Sequence, residues 1–194
     1  MRQPGLSILL ILLGAVAGQV LSATSAVRLS IEKLADAAER IVVGRVQSGE
    51  ARWDDAKKGI WTHHEISVTE TLKGDKADTL EVVTRGGTVG RVGQHVAGAG
   101  GLKKGERYVL FLWKDDSSRL RLVGMVQGAF KLTTVEGVER AANSLRGLTI
   151  IDPDTMKESE QEADKLPLDK TLKALKQEIS TLIKQDEADA KGDE

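Results

Sequence analysis

The sequence predicts a mainly β fold: an antiparallel sandwich or small closed barrel, with a short helix before it and an amphipathic helix after it. Three observations carry this prediction. Six to eight short runs rich in β-branched and aromatic residues occur in the middle of the chain, turn-forming residues separate them, and helical spacing of apolar residues is confined to the two ends.

The first 26 residues stand apart. Arg2 precedes an apolar run from Leu6 to Leu21 and the small residues Ala23-Thr24-Ser25-Ala26, the order of a secretory signal peptide. A membrane-spanning helix needs about 20 apolar residues, and this run is shorter and interrupted by Ser7, Gly14, Gly18 and Gln19. A cleaved leader is therefore preferred to an uncleaved anchor or a buried helix. A cut after Ala17 would leave a very short apolar core, and one after Ala23 puts Leu21 at minus three. The cut after Ala26, with Thr24 at minus three, is favoured and makes 1–26 the leader. The expected location is secreted or periplasmic.

The 194-residue chain has no cysteine. An exported domain without disulfides must rely on its core, and about 168 residues after the leader suffice for one domain. Thiol catalysis, thiolate zinc sites, iron–sulfur clusters and lipid attachment through a cysteine are excluded. A bacterial envelope or periplasmic setting fits this composition better than that of small extracellular animal modules. The net charge of -1, or -2 without Arg2, lacks the basic excess of nucleic-acid binders. No nucleic-acid partner is expected, and membrane contact is expected only through an uncleaved leader.

The elements follow in order. Ser30 is placed to cap a short helix in which Ile31, Leu34, Ala35 and Ala38 recur at helical spacing. Arg40 to Val46 is apolar on both faces and reads as a buried strand, with Gly44 a bend, bulge or close-approach point. Ile60 to Leu72 is a second strand whose core-facing parity is Ile60, Thr62, His64, Ile66, Val68 and Leu72. Leu80 to Thr84 is a third. Gly86 to Gly105 is glycine-dense and predicts an irregular loop with one short strand near Val92 to Val96. Arg107 to Trp113 alternates Tyr108, Leu110 and Leu112 with Val109, Phe111 and Trp113, so it belongs in the centre of a sheet. Leu120 to Val126 and Ala129 to Val135 are further strands, and Glu136-Gly137 turns into Val138 to Arg140.

Strand signals end near Asn143. The β domain is thus assigned to 27–145, a polar linker to 146–166, an amphipathic helix to 167–186 and a disordered charged tail to 187–194. Leu168, Leu172, Leu175, Ile179 and Leu182 form a seam of two heptads. Packing of this helix on the β domain is expected over a coiled-coil dimer, which usually needs three or four heptads.

Ala38 to Val46, Val68 to Gly74 and Lys104 to Leu112 resemble the strand motifs of the netrin-like module, the group that includes the tissue inhibitors of metalloproteinases. Gly86-Gly87 followed by Gln127-Gly128-Ala129-Phe130 is also similar to a pattern in uncharacterised exported bacterial proteins. The resemblance covers roughly residues 36 to 135 and implies an OB-like β-barrel. The zinc-binding N-terminal cysteine of those inhibitors has no counterpart here, so their mechanism does not carry over.

No catalytic set is legible. His63 and His64 are adjacent on a strand and point to opposite faces, so they do not share a metal. A site joining either of them to His95 and a carboxylate is the only metal arrangement considered, and no metal or cofactor is assigned. Gly86 to Gly93 lacks the Gly-Lys-Ser/Thr ending and the following helix of a phosphate loop. No Gly-x-Ser-x-Gly elbow occurs. Asp54-Asp55 and Asp115-Asp116 read as turn formers.

The glycine-rich loop is the expected recognition surface, with Arg91, Gln94 and His95 as contact candidates. Trp53, Trp61 and Trp113 can form an aromatic platform, although core or rim packing is commoner; Trp61 joins the ligand-contact candidates. The function expected is an exported non-enzymatic module of the cell envelope that binds a protein or a ligand, an envelope or secreted protein being the partner class considered. A metal-dependent hydrolase and a protease inhibitor without the cysteine wedge are the alternatives.

Overall fold

The computed structural model describes residues 24–152, 155–160 and 166–192. Most of the expected leader, residues 1–23, lies outside the described residues. The chain is mainly β with a helix at its C-terminal end.

The central sheet is built from β2 (Arg40–Trp53), β3 (Ile60–Lys73), β4 (Thr79–Arg85), β7 (Arg107–Lys114), β8 (Leu120–Leu122), β9 (Ala129–Val135), β10 (Val138–Ala142) and β12 (Asp169–Thr171). Its order is β12-β10-β9-β7-β2-β3-β4-β8, and β8 returns to pair with β7, so five strands close into a ring. All ladders in the ring are antiparallel except β4 with β8, which are parallel and meet at one residue pair, Val82 with Leu120. The expectation of a wholly antiparallel sheet is corrected there. β7 runs antiparallel to β2, and β8 follows it by a hairpin turn, so β8 meets β4 running in β4's own direction.

Alternation along β2 and β7 divides the apolar residues into two cores. Val42, Val46, Tyr108, Leu110 and Leu112 join Ile66, Val82 and Leu122 inside the ring. Ile41, Val43, Val109 and Phe111 face the other way, onto Phe130 and the two helices. Both faces of β7 are thus occupied, as its double apolar pattern requires. Register shifts at Ile41/Val42, Val43/Gly44 and Val46/Ser48 bend β2, as bulges do.

The helices cover the outer core. In α1 (Ile31–Ala37) the Ser30 hydroxyl accepts the Lys33 amide at 3.2 Å, the expected cap. Lys73 Nζ donates to the Ala35 carbonyl at 2.7 Å, which also accepts the Ala38 amide at 3.4 Å where the helix ends. The C-terminal helix α2 spans Leu172–Gly192; Leu175 and Ile179 are fully buried in the outer core, with Leu168, Leu182 and Ile183 packed at its margin. The helix lies on the domain. It begins later than expected because Asp169–Thr171 pairs with β10, after which the Thr171 hydroxyl accepts the Ala174 amide at 3.2 Å. It also runs on into the stretch expected to be a disordered tail.

Four further differences have physical causes. β2 continues to Trp53, since the long β3 supplies a partner along its whole length. The expected strand Leu120 to Val126 stops at Leu122, where the chain turns through Gly124 into a 3-10 turn at Met125–Gly128. The glycine-rich segment contains a hairpin, β5 (Gly87–Val89) with β6 (Val92–Gln94), rather than one strand. Strands also continue beyond Asn143: β11 (Leu148–Ile150), inside the expected polar linker, pairs in parallel with β1 (Thr24–Ala26). A cut after Ala26 would remove β1, whereas one after Ala23 would leave it whole.

Candidate functional site

Hairpin β5–β6 lies against β2 and β3. Gly87, at φ +132°, makes this approach possible: a Cβ there would lie 2.5 Å from Thr62 Oγ1 and 2.7 Å from Ala51 Cβ. Gln94 Oε1 accepts the Ile60 amide at 2.6 Å, Gly86 N donates to the Ile60 carbonyl at 2.8 Å, and Thr62 Oγ1 donates to the Gly86 carbonyl at 2.7 Å. These bonds hold both ends of the hairpin on β3, so the loop between Gln94 and Glu106 leaves from a fixed point.

That loop separates two cavities. The larger, about 760 Å³, lies between residues 95–103 and the segment 142–147, with β7 and β9 beneath. On its floor Glu106 accepts the Tyr108 hydroxyl at 2.5 Å and the Lys131 ammonium at 2.6 Å. Lys131, and then the Tyr108 hydroxyl, hold the Glu106 carboxyl below its usual range. Burial, reinforced by Glu106, pushes the Tyr108 phenol well above its usual value. His95, Lys103, Ser144 and Arg146 bring further polar groups to the walls.

The smaller cavity, about 280 Å³, is lined by Thr62, His64, Thr84 and Arg85 on the strand side and by His95 and Gly100 on the loop side. His64 is buried; its Nε2 lies 2.9 Å from Thr84 Oγ1, while its Nδ1 has no hydrogen-bond partner. Desolvation, then the neighbouring His63, lowers its pKa to about 4. It is therefore neutral near pH 7.

Of the expected contact residues, only His95 faces both cavities. Gln94 lines the smaller one with its side-chain oxygen already bound to Ile60. Arg91 is exposed at the hairpin turn and lines neither. Trp61 is buried beneath arginine side chains instead of forming a platform with Trp53, which is exposed. His63 sits on the face opposite His64, with Nδ1 3.0 Å from Glu81 Oε1 but out of hydrogen-bond alignment. Among the described residues no three His, Asp or Glu side chains converge as metal ligands would.

Sequence reading did not find Glu106, Tyr108, Lys131, Ser144 and Arg146. A signal for Tyr108 existed: it shares the inward parity of β7 with Leu110 and Leu112, and a buried tyrosine hydroxyl needs a partner. The chain matches no protein-family model, and no curated protein aligns with it significantly. Among the described residues no helix is long and apolar enough to cross a membrane.

Proposed function

We propose that this chain is an exported, non-enzymatic binding module of the cell envelope, with an OB-type barrel of netrin-like kind as its scaffold and the larger loop-walled cleft as its recognition site. The strand order supports the scaffold reading: taken as strands one to five, β2, β3, β4, β7 and β8 close in the order 1-2-3-5-4-1 with only the third and fifth parallel, an order that suits such a five-stranded barrel. Arg2 and the apolar run to Leu21 support export.

The observation that carries binding over catalysis is the state of the cleft floor. Its carboxylate is held ionised by two donors and its phenol is held protonated. Neither is poised to exchange a proton near neutral pH, as a general acid or base must be. The cleft still offers a fixed floor, a mixed polar wall and a loop on a rigid β scaffold, the common setting for recognition.

The test is a screen of small molecules and short peptides against isotope-labelled protein, read by amide shifts. Saturable shifts confined to 95–106, 131 and 142–147, weakened by Lys131→Gln, are expected. Ligands that bind only elsewhere, or turnover of any screened compound, would overturn the reading. Fusion of residues 1–26 to a reporter enzyme active only outside the cytoplasm tests export separately.

A further inference from the structure

Trp61 is the second residue of β3 and only 7% exposed, with guanidinium groups over its ring. The Cζ of Arg119 lies 4.3 Å from the ring centroid, that of Arg121 4.9 Å and that of Arg85 5.1 Å. Arg121 also reaches Trp113, at 5.6 Å. The topology explains the convergence. Arg85 stands opposite Trp61 across β3 and β4, Arg121 stands opposite Trp113 across β7 and β8, and the two pairs meet where β4 and β8 close the ring.

Charge is not balanced there. Arg119 is paired with Asp115, Nη2 to Oδ2 at 2.8 Å, and Asp115 Oδ1 is occupied by the amides of Ser117 and Arg119. Asp54 is the other acid at hand. A Cβ on Gly59 would lie 3.3 Å from its Oδ2 and 3.6 Å from Arg85 Nη2, while its Oδ1 accepts the Lys58 amide at 2.7 Å. Among the described residues no carboxylate lies within ion-pair distance of Arg85 or Arg121. Burial lowers the Arg121 pKa, and Arg119 and Arg85 lower it further against the raising effect of Asp115. Ring quadrupoles attract each cation separately and do not relieve the repulsion among the three.

We propose that Arg85, Arg119 and Arg121, gathered on Trp61, form a binding site for a tetrahedral oxyanion, a phosphate or sulfate group. Guanidinium forks match such oxygens in paired hydrogen bonds. Arg119 gives its Nε and Nη2 to Asp115 Oδ2, so the ligand's donors are the forks of Arg85 and Arg121 and the remaining Nη1 of Arg119. Arriving from two strands and a turn, they suit a group with three or four oxygens better than a carboxylate with two. Arg85 is exposed and the Arg119 side chain is 33% exposed, so the donors are reachable. None of these residues lines the larger cleft, and the proposal stands independently of the ligand that cleft takes.

The test follows arginine Nε–Hε resonances of the purified protein at fixed ionic strength in chloride. Inorganic phosphate, inorganic sulfate, glycerol phosphate and acetate are added in separate titrations. Saturable shifts of Arg85 and Arg121 with phosphate and sulfate are expected, with affinity at least tenfold weaker in Arg85→Gln and unchanged in Arg52→Gln, whose side chain pairs with Glu50. Glycerol phosphate binding more tightly than inorganic phosphate would assign the site to an ester; equal binding would assign it to the free ion. Absence of saturation, an equal response to acetate, or an Arg85→Gln variant that binds normally would overturn the proposal. Thermal melting of Arg85→Gln separates lost binding from lost structure, and a stability change without a change in phosphate response would mark the cluster as structural only.

Discussion

The side-chain amide of Asn143 donates to the main-chain carbonyl of Gln127 at 2.9 Å, and both residues are buried. Each holds a distant piece of chain. Gln127 Oε1 accepts the Leu29 amide at 2.9 Å and its Nε2 donates to the Val27 carbonyl at 3.1 Å. Asn143 Oδ1 accepts the Leu168 amide at 2.8 Å, and the Asn143 main-chain N–H donates to the Leu168 carbonyl at 3.0 Å. Two buried carboxamides thus join the segment before α1, the 3-10 turn and the approach to α2. Removing either side chain leaves buried backbone groups unsatisfied, at about 1–3 kcal/mol each. Gln127→Ala and Asn143→Ala are each expected to lose roughly 2–4 kcal/mol in urea unfolding. A loss below about 1 kcal/mol in both would show that water replaces these bonds.

Gly128, next to Gln127, has a different constraint. A Cβ there would lie 2.3 Å from the Val123 carbonyl oxygen and 3.2 Å from that of Phe111, and backbone cannot step aside as a flexible side chain can. Gly128→Ala should cost roughly 2–3 kcal/mol by overpacking. Gly101 has open space around its missing Cβ and no positive φ. Gly101→Ala should be neutral or stabilise by a few tenths of a kcal/mol through the unfolded chain. Comparable losses in the two variants would refute this contrast.

His64 sets a pH dependence. Above pH 6.5 its imidazole is neutral in folded and unfolded chains and adds no slope. As pH falls below 6.5 the unfolded chain takes up a proton that the folded chain refuses until about pH 4, so stability declines across that window by roughly 2–3 kcal/mol. His64→Gln should flatten this part of the profile and leave the separate acid-side loss from Glu106, whose carboxyl Lys131 holds below its usual range. A profile from pH 4 to 6.5 identical to that of the parent protein would exclude His64 as its source.

The docked helix predicts its own mutational pattern. Leu175 and Ile179 are completely buried, so Leu175→Ala and Ile179→Ala should each cost about 2–5 kcal/mol. Lys176 on the same helix only pairs with exposed Glu70, at 2.5 Å, and Lys176→Gln should change stability by less than about 1 kcal/mol. Small effects at Leu175 and Ile179, together with concentration-dependent melting, would point to the coiled-coil alternative.

Where pattern and burial coincide, the fold could be read from the sequence. β3, β7 and β9 fall within a residue of expectation because their apolar alternation is a direct record of what lies above and below the sheet. The Ser30 cap and the buried faces of α1 and α2 were legible for the same reason. β1, β11 and β12 were not, since three-residue strands carry no period and form only because a partner is waiting. The pair β5–β6 was partly hidden by its glycines, whose role is to let backbone approach backbone. In the candidate site, His95 was reachable from loop composition. The Glu106–Tyr108–Lys131 set joins β9 to the start of β7, and the arginines over Trp61 come from β4, from β8 and from the turn before it. Such convergence depends on strand order, which no local spacing encodes.

Ring closure at Val82 and Leu120 has a dynamic consequence. A single parallel pair is the shortest ladder in the ring, so the least costly local opening separates β4 from β8 and uncovers the inward faces of Val82 and Leu122. The same opening draws Arg85 away from Arg119 and Arg121. Repulsion among those guanidiniums strains the joint from within, and counter-ions relieve it. The fastest amide exchange in the ring therefore belongs at this joint, with a rate that falls as salt rises.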